Sequence, residues 1–272
     1  MLKQRVITAL ILLLLLLAAV FALPASGWAV LVALVVMQGA REWTKLAKMR
    51  GLAAGLYLLV TMILFLALLW IYFNVSSQQK IPLQLLIYGG AALFWMGVAP
   101  AWLMGIWKTQ NPVLMAAVGW LVLLPTGMAM LDLHAENPQP WWLLGVMGLV
   151  WVADISAYFA GRKFGRHKLA PSISPGKTWE GVAGAMLGVT VYVLVMMVGT
   201  GMTQRYSLFL YAIAGVVLSV IGDLFESAIK RQAGVKDSGA LLPGHGGLLD
   251  RIDALTSTLP LAALVLILTR VS

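Results

Sequence analysis

Long apolar runs broken by short polar segments recur along the chain from about residue 6 to residue 270. Some 20 apolar residues, at about 1.5 Å of rise each, cross the roughly 30 Å of hydrocarbon in a bilayer. The pattern therefore predicts nine membrane-spanning helices, over 6–23, 27–40, 52–73, 82–104, 112–131, 141–161, 181–199, 206–226 and 254–270. The second is short and is expected to run on past Arg41 into the interface. Strands are a poor reading, because the runs are too continuously apolar for a barrel and lipid leaves no water for unpaired backbone groups. The predicted fold class is all-α, a polytopic integral membrane protein.

Composition agrees: 61% of residues are hydrophobic, 11% are charged, and the mean hydropathy is +0.92. The opening "MLKQRVITALILLLLLLAAVFALPASG" also has the form of a signal peptide, with a basic start, an apolar run and small residues. Val6 to Leu23 is long enough to cross and more spans follow directly, so a retained first span is expected. With the N-terminus cytoplasmic, sixteen of the 19 Lys and Arg fall on the inside, and only Lys80, Arg205 and Arg270 fall outside. This asymmetry predicts the orientation and explains the formal charge of +9 with no nucleic-acid partner. The absence of cysteine excludes thiolate catalysis, thiolate zinc sites and iron–sulfur clusters. Any metal site would be oxygen- or histidine-based, which suits hard ions such as Mg2+.

The chain is expected to divide into N-terminal transmembrane helices, 1–140, and a catalytic transmembrane region, 141–272, with long cytoplasmic loops at 162–180 and 227–253. Seven of the ten carboxylates lie in the second part: Asp154, Glu180, Asp223, Glu226, Asp237, Asp250 and Asp253. Asp223, Glu226 and Ser227 are spaced i, i+3, i+4 on one helix face. Asp250 and Asp253 are spaced i, i+3 where the last helix begins. Taken singly, these have plain readings. The second pair caps a helix, the first forms salt bridges with Lys230 and Arg231, the 162–168 basic cluster anchors to anionic lipid, and His245 is a loop residue. Together they place two acidic pairs around one Gly-, Lys- and His-rich loop, which capping does not require. Carboxylates that hold a divalent ion, beside cationic side chains and close-approaching glycine backbone, suit phosphate transfer. "GHGG", Gly244 to Gly247, is a candidate for phosphate approach, though it is not a P-loop. A site where membrane meets cytosol suits one lipid and one soluble nucleotide substrate.

The stretch "SAIKRQAGVKDSGALLPGHGGLLDRID", Ser227 to Asp253, resembles the signature of the phosphatidate cytidylyltransferases, or CDP-diacylglycerol synthases. "GRKFGRHKLAPSISPGKTWEG", Gly161 to Gly181, resembles the family's Ser-Pro-x-Lys-Thr-x-Glu-Gly motif, with Gly176 where Lys is frequent, and "GDLFES" also fits. The likeness covers about residues 150–255; before that it rests on span pattern and basic loops. It implies a nucleotidyltransferase of phospholipid biosynthesis in the cell (inner) membrane, with its active site facing the cytoplasm. Its substrates would be CTP and phosphatidic acid, giving CDP-diacylglycerol and pyrophosphate. It also implies Mg2+, a second cation of monovalent type, and room for a homodimer. By the same resemblance Asp223 and Asp250 are the first choices as metal ligands, and Asp253, Asp237 and Glu226 the second. Lys230, Arg231, Lys236 and Arg251 would neutralise phosphates. Ser174, Lys177, Thr178, Ser227, Gly246 and Gly247 would line the substrate cavity. His245 stays open between binding phosphate and shaping the loop.

Three rivals remain. A sibling transferase acting on another lipid or polyprenyl phosphate would share this machinery. A CDP-alcohol phosphotransferase would need an Asp-Gly-x-x-Ala-Arg signature that is absent. A transporter would place Asp154 and Asp223 along a path through the membrane, whereas the acids crowd one side.

Overall fold

The computed structural model describes residues 2–105, 108–136, 140–200, 207–241 and 246–271. All nine predicted stretches are helical. They are α1 (Leu2–Ala22), α2 (Ala25–Leu46), α3 (Gly51–Asn74), α4 (Ser77–Leu93) continuing through a π-helical turn (Phe94–Val98) into α5 (Ala99–Leu103), α6 (Pro112–Ala135), α7 (Trp141–Phe164), α8 (Trp179–Thr200), α9 (Ser207–Ala233) and α10 (Leu249–Val271). Among the described residues, seven of these rods are long and apolar enough to cross a membrane, the first being Gly51–Asn74. The described apolar part of α1 is only Leu10–Ala22. Helix α2 runs on past Arg41 to Leu46, as expected, and so carries Arg41, Glu42 and Lys45 within it.

Local chemistry sets several boundaries. Asn111 caps α6: its side-chain oxygen accepts from Val113 N at 2.9 Å, and Pro112 follows at the first helical position, where its missing N–H costs nothing. Helix α9 continues to Ala233 and α10 begins at Leu249, so both helices reach inside the expected 227–253 loop. Its polar ends are helical, which puts their side chains on defined faces.

One element departs from the all-α expectation. Within 162–180, β1 (Lys168–Ala170) pairs antiparallel with β2 (Ser174–Thr178), Lys168 opposite Thr178 and Ala170 opposite Ser174. Strands this short carry too few alternations to be read from hydrophobic pattern. The hairpin is closed by Ile173 N donating to Ala170 O at 3.1 Å. Its base is tied to α8 by Glu180, which lies 2.6 Å from His167 Nδ1 and accepts from His167 N at 3.2 Å.

One buried cluster joins residues of α2, α6, α9 and α10, and a smaller one joins α7, α8 and α9. Phe225, 1% exposed, fixes α9 against the π-helical turn and α5, with its ring edge-on to Phe94, Trp95 and Trp102 at 5.3, 5.4 and 5.6 Å. Small residues let the helices meet closely, as is usual between membrane helices. At Gly222 a Cβ would stand 2.6 Å from Ser257 Oγ and 2.7 Å from Asp253 O, so α9 and α10 touch backbone to backbone beside Asp223 and Asp253.

Candidate active site

Four elements bring their polar side chains together at one end of the bundle: the last turns of α9, the first turns of α10, the hairpin, and the last turns of α2. The 3.6-residue repeat puts Asp223, Glu226, Ser227 and Lys230 on one face of α9. Ser227 Oγ is 3.4 Å from Asp223 Oδ1. The hairpin delivers Lys177, whose Nζ lies 2.5 Å from Asp223 Oδ2. Asp154 of α7 and Asp253 of α10 both lie within electrostatic range of Asp223 and Lys177.

A second centre forms one turn further along α9. Lys230 Nζ sits 2.6 Å from Asp250 Oδ1 and 3.2 Å from Glu226 Oε1. Both acids and the lysine are largely buried, so the two ion pairs are shielded from water. The other oxygen of Asp250, Oδ2, accepts from Ser238 N at 2.9 Å and Gly247 N at 2.8 Å, and lies 3.0 Å from Ser238 Oγ. Both carboxylate oxygens of Glu226 are buried, and Lys230 is the cation that meets them. Asp253 Oδ1 accepts from Ala254 N at 2.8 Å.

The remaining sequence candidates fall around this pair of centres. Ser174 and Thr178 are on β2, where Thr178 is buried and its Oγ1 accepts from Gly181 N at 3.1 Å, starting α8. Arg231 donates to Ile173 O and Val235 O, each at 3.3 Å, and so joins the hairpin turn to the end of α9. Lys236 and Asp237 are exposed on the loop, and Arg251 is exposed on the first turn of α10. Gly246 has φ 81° and Gly247 is buried, with its N–H engaged by Asp250. His245 and Gly244 lie outside the described residues.

Glu42 belongs to this assembly and was not among the sequence candidates. Its oxygens accept from Leu248 N and Leu249 N, each at 2.9 Å, across more than 200 positions. The only local signal is a lone acid in the last turns of a mostly apolar helix, between Arg41 and Trp43. Ser238, which lies against both Glu42 and Asp250, carried no signal either.

Comparison with known proteins gives this cluster its setting. The cytidylyltransferase family matches residues 3–269. The chain belongs to that family. A Haemophilus influenzae protein named phosphatidate cytidylyltransferase is 36% identical over 281 aligned positions, covering 96% of this chain and 96% of its own. One of the same name from Pseudomonas aeruginosa is 39% identical over 286 positions, covering 98% and 97%. A third, from Thermotoga maritima, is 42% identical over 126 positions, 44% of this chain. The resemblance carried by the two polar motifs thus extends through the N-terminal helices.

For a cytidylyltransferase, the fit of a metal ion can be judged from the donors present. The acids offer oxygen only, which suits a hard divalent cation. Glu226 has two buried oxygens with Lys230 as their cationic partner, and Asp223 and Asp253 lie near it along the same α9–α10 contact. Asp250 is differently placed, since both its oxygens are held by protein donors. Among the described residues no three acids or histidines already converge as a ligand set. The donors fit Mg2+ in kind, with Lys177 and Lys230 now neutralising them.

A large apolar cavity lies elsewhere. It measures about 690 Å³ between the far halves of α7, α8, α9 and α10, and its walls are almost wholly apolar. Its nearest lining residues, Leu149, Leu218 and Thr258, are each five positions from Asp154, Asp223 and Asp253, or about 7.5 Å along the helix. With no charged side chain in its lining, this cavity has nothing to bind phosphate, so the chemistry is assigned to the polar end.

Proposed function

We propose that this protein transfers CMP from CTP to phosphatidic acid, giving CDP-diacylglycerol and pyrophosphate for phospholipid biosynthesis. The near full-length likeness to two proteins named phosphatidate cytidylyltransferase carries this reading. The cluster of lysines and carboxylates at the end of apolar helices is what such a reaction needs. A phosphate oxygen of the lipid attacks the α-phosphorus of CTP, the bond to the β-phosphate oxygen breaks, and pyrophosphate leaves. The attacking oxygen is already anionic near neutral pH, so no general base is required. Positioning two polyanions and neutralising their repulsion carries most of the rate.

The roles follow from placement. Lys177 and Lys230 are the cations at the centre, and each would exchange a carboxylate partner for a phosphate oxygen. Arg231, Lys236 and Arg251 are exposed beside the cluster and would neutralise CTP or lipid phosphates. Ser174, Thr178, Ser227 and the backbone of Gly246 and Gly247 complete the walls. Glu226, Asp223 and Asp253 would hold Mg2+, with Asp250 joining them only by releasing Lys230. The ion supplies charge neutralisation on the transferring phosphate when bound. A second, monovalent cation and a homodimer remain part of the reading by resemblance.

The same reading places the protein in the cell inner membrane. Nine spans, α1 and α2 included, with a cytoplasmic N-terminus would put the polar end at the cytosol, where CTP is. The basic residues support it: sixteen of 19 gather on that side. The decisive experiment supplies purified protein in liposomes with CTP, phosphatidic acid and Mg2+, and measures pyrophosphate and CDP-lipid. CTP-dependent formation of both is expected; their absence from well-folded protein overturns the proposal.

A further inference from the structure

Glu42 is 1% exposed, yet its carboxylate has a full set of donors. Gln38 Nε2 and Leu248 N donate to Oε1, and Leu249 N and Ser238 Oγ to Oε2, all at 2.9 Å. Two of these donors are backbone N–H groups at the start of α10, which no residue four positions back can satisfy. Helix α10 is thus capped from α2 rather than by its own preceding residue. Both the anion and the helix N-terminus gain from the arrangement.

Ser238 links this cap to the reaction centre. Its Oγ stands between Glu42 Oε2 at 2.9 Å and Asp250 Oδ2 at 3.0 Å, while its N–H donates to Asp250. Asp250 in turn meets Lys230. The glycines of the loop are explained by the same two carboxylates. A Cβ on Gly247 would collide with Ser238 Oγ and Glu42 Oε2, one on Gly239 would stand 2.9 Å from Glu42 Oε1, and one on Gly246 would stand 2.6 Å from Asp250 Oδ2. These glycines let the backbone close on Glu42 and Asp250.

From this chain of contacts we infer that Glu42 is a positioning residue for cytidylyl transfer: it sets Ser238, residues 246–249 and the first turn of α10 so that Asp250 meets Lys230. Its own oxygens are fully engaged by protein donors, so it acts through Ser238 and the helix start and does not touch substrate. The inference rests on the cytidylyltransferase reading and assigns a role in it to the N-terminal helices.

Two nearly isosteric changes test it. Glu42→Gln turns an –NH2 group toward a backbone N–H and breaks half of the cap. Ser238→Ala removes only the hydroxyl between the two carboxylates. Steady-state rates are measured in liposomes, per molecule of folded protein, with CTP and phosphatidic acid varied separately. The expected result for Glu42→Gln is a kcat lower by on the order of 10²-fold, with the KM for either substrate little changed. Ser238→Ala should fall in the same direction by less. A purely structural role predicts a lower unfolding temperature with wild-type kcat per folded molecule, and that result overturns the inference. Should Glu42→Gln fail to fold, Ser238→Ala decides alone: a wild-type kcat overturns the inference and a lowered kcat with unchanged KM supports it. If the wild-type protein makes no CDP-lipid, the enzymatic reading itself fails, which is a separate outcome.

Discussion

Lys177 Nζ lies 2.5 Å from Asp223 Oδ2, so a short hairpin and the end of α9 meet in one ion pair. The pair joins the two polar motifs of the chain, which are 46 positions apart at these residues. Lys177 is only about a quarter exposed, and Asp154 and Asp253 lie within its electrostatic range. On the proposed reading, Lys177 would exchange Asp223 for a phosphate oxygen.

Lys177→Met should therefore lose most activity while the protein still inserts. The expected fall in kcat/KM is roughly 10²-fold, similar to removing one preorganised charge-stabilising donor. Initial rates of CDP-lipid formation, compared with Lys168→Met on the exposed start of the same hairpin, check it. Equal rates in the two variants would remove Lys177 from the site.

The Lys230–Asp250 pair separates stability from catalysis. Its side chains are 11% and 9% exposed, and removing Lys230 leaves two buried acids without their cation, at a cost of about 3–5 kcal/mol, while removing Asp250 leaves Lys230 only Glu226. Asp250→Asn and Lys230→Met should each lower the unfolding midpoint in detergent. The double variant should recover part of that stability and none of the turnover. Recovery of turnover in the double variant would reduce the pair to a structural one.

The metal proposal is checked by titration. Chelation should abolish CDP-lipid formation and added Mg2+ restore it. Asp253→Asn should raise the Mg2+ concentration needed for half-maximal rate, since it removes one of the three acids that would hold the ion. An unchanged Mg2+ profile in that variant would exclude Asp253 as a ligand.

Orientation is open to a clean test because the chain has no cysteine. Single cysteines introduced as Ser172→Cys at the hairpin turn and Gln78→Cys at the start of α4 sit at exposed positions. In inverted membrane vesicles an impermeant maleimide should label the first and spare the second, and in intact spheroplasts the reverse. Labelling of both from one side would overturn the proposed topology.

The hydrophobic pattern alone determined where the helices run, because a helix satisfies its backbone within four residues and lipid tolerates little else. The long acid-bearing segments were legible too: Asp223, Glu226, Ser227 and Lys230 share a face by simple periodicity. What the pattern did not contain was partnership. The strands of the hairpin are too short to alternate visibly, and the meeting of Lys177 with Asp223 depends on how that hairpin folds back over α9. Glu42 was one acid among basic residues until packing carried α2 against the start of α10, 207 positions away. Helices are local and can be read from neighbours in sequence. Ion pairs and caps between distant segments follow from close packing of Gly222, Gly239, Gly246 and Gly247, and only the tertiary structure decides which charges then face one another.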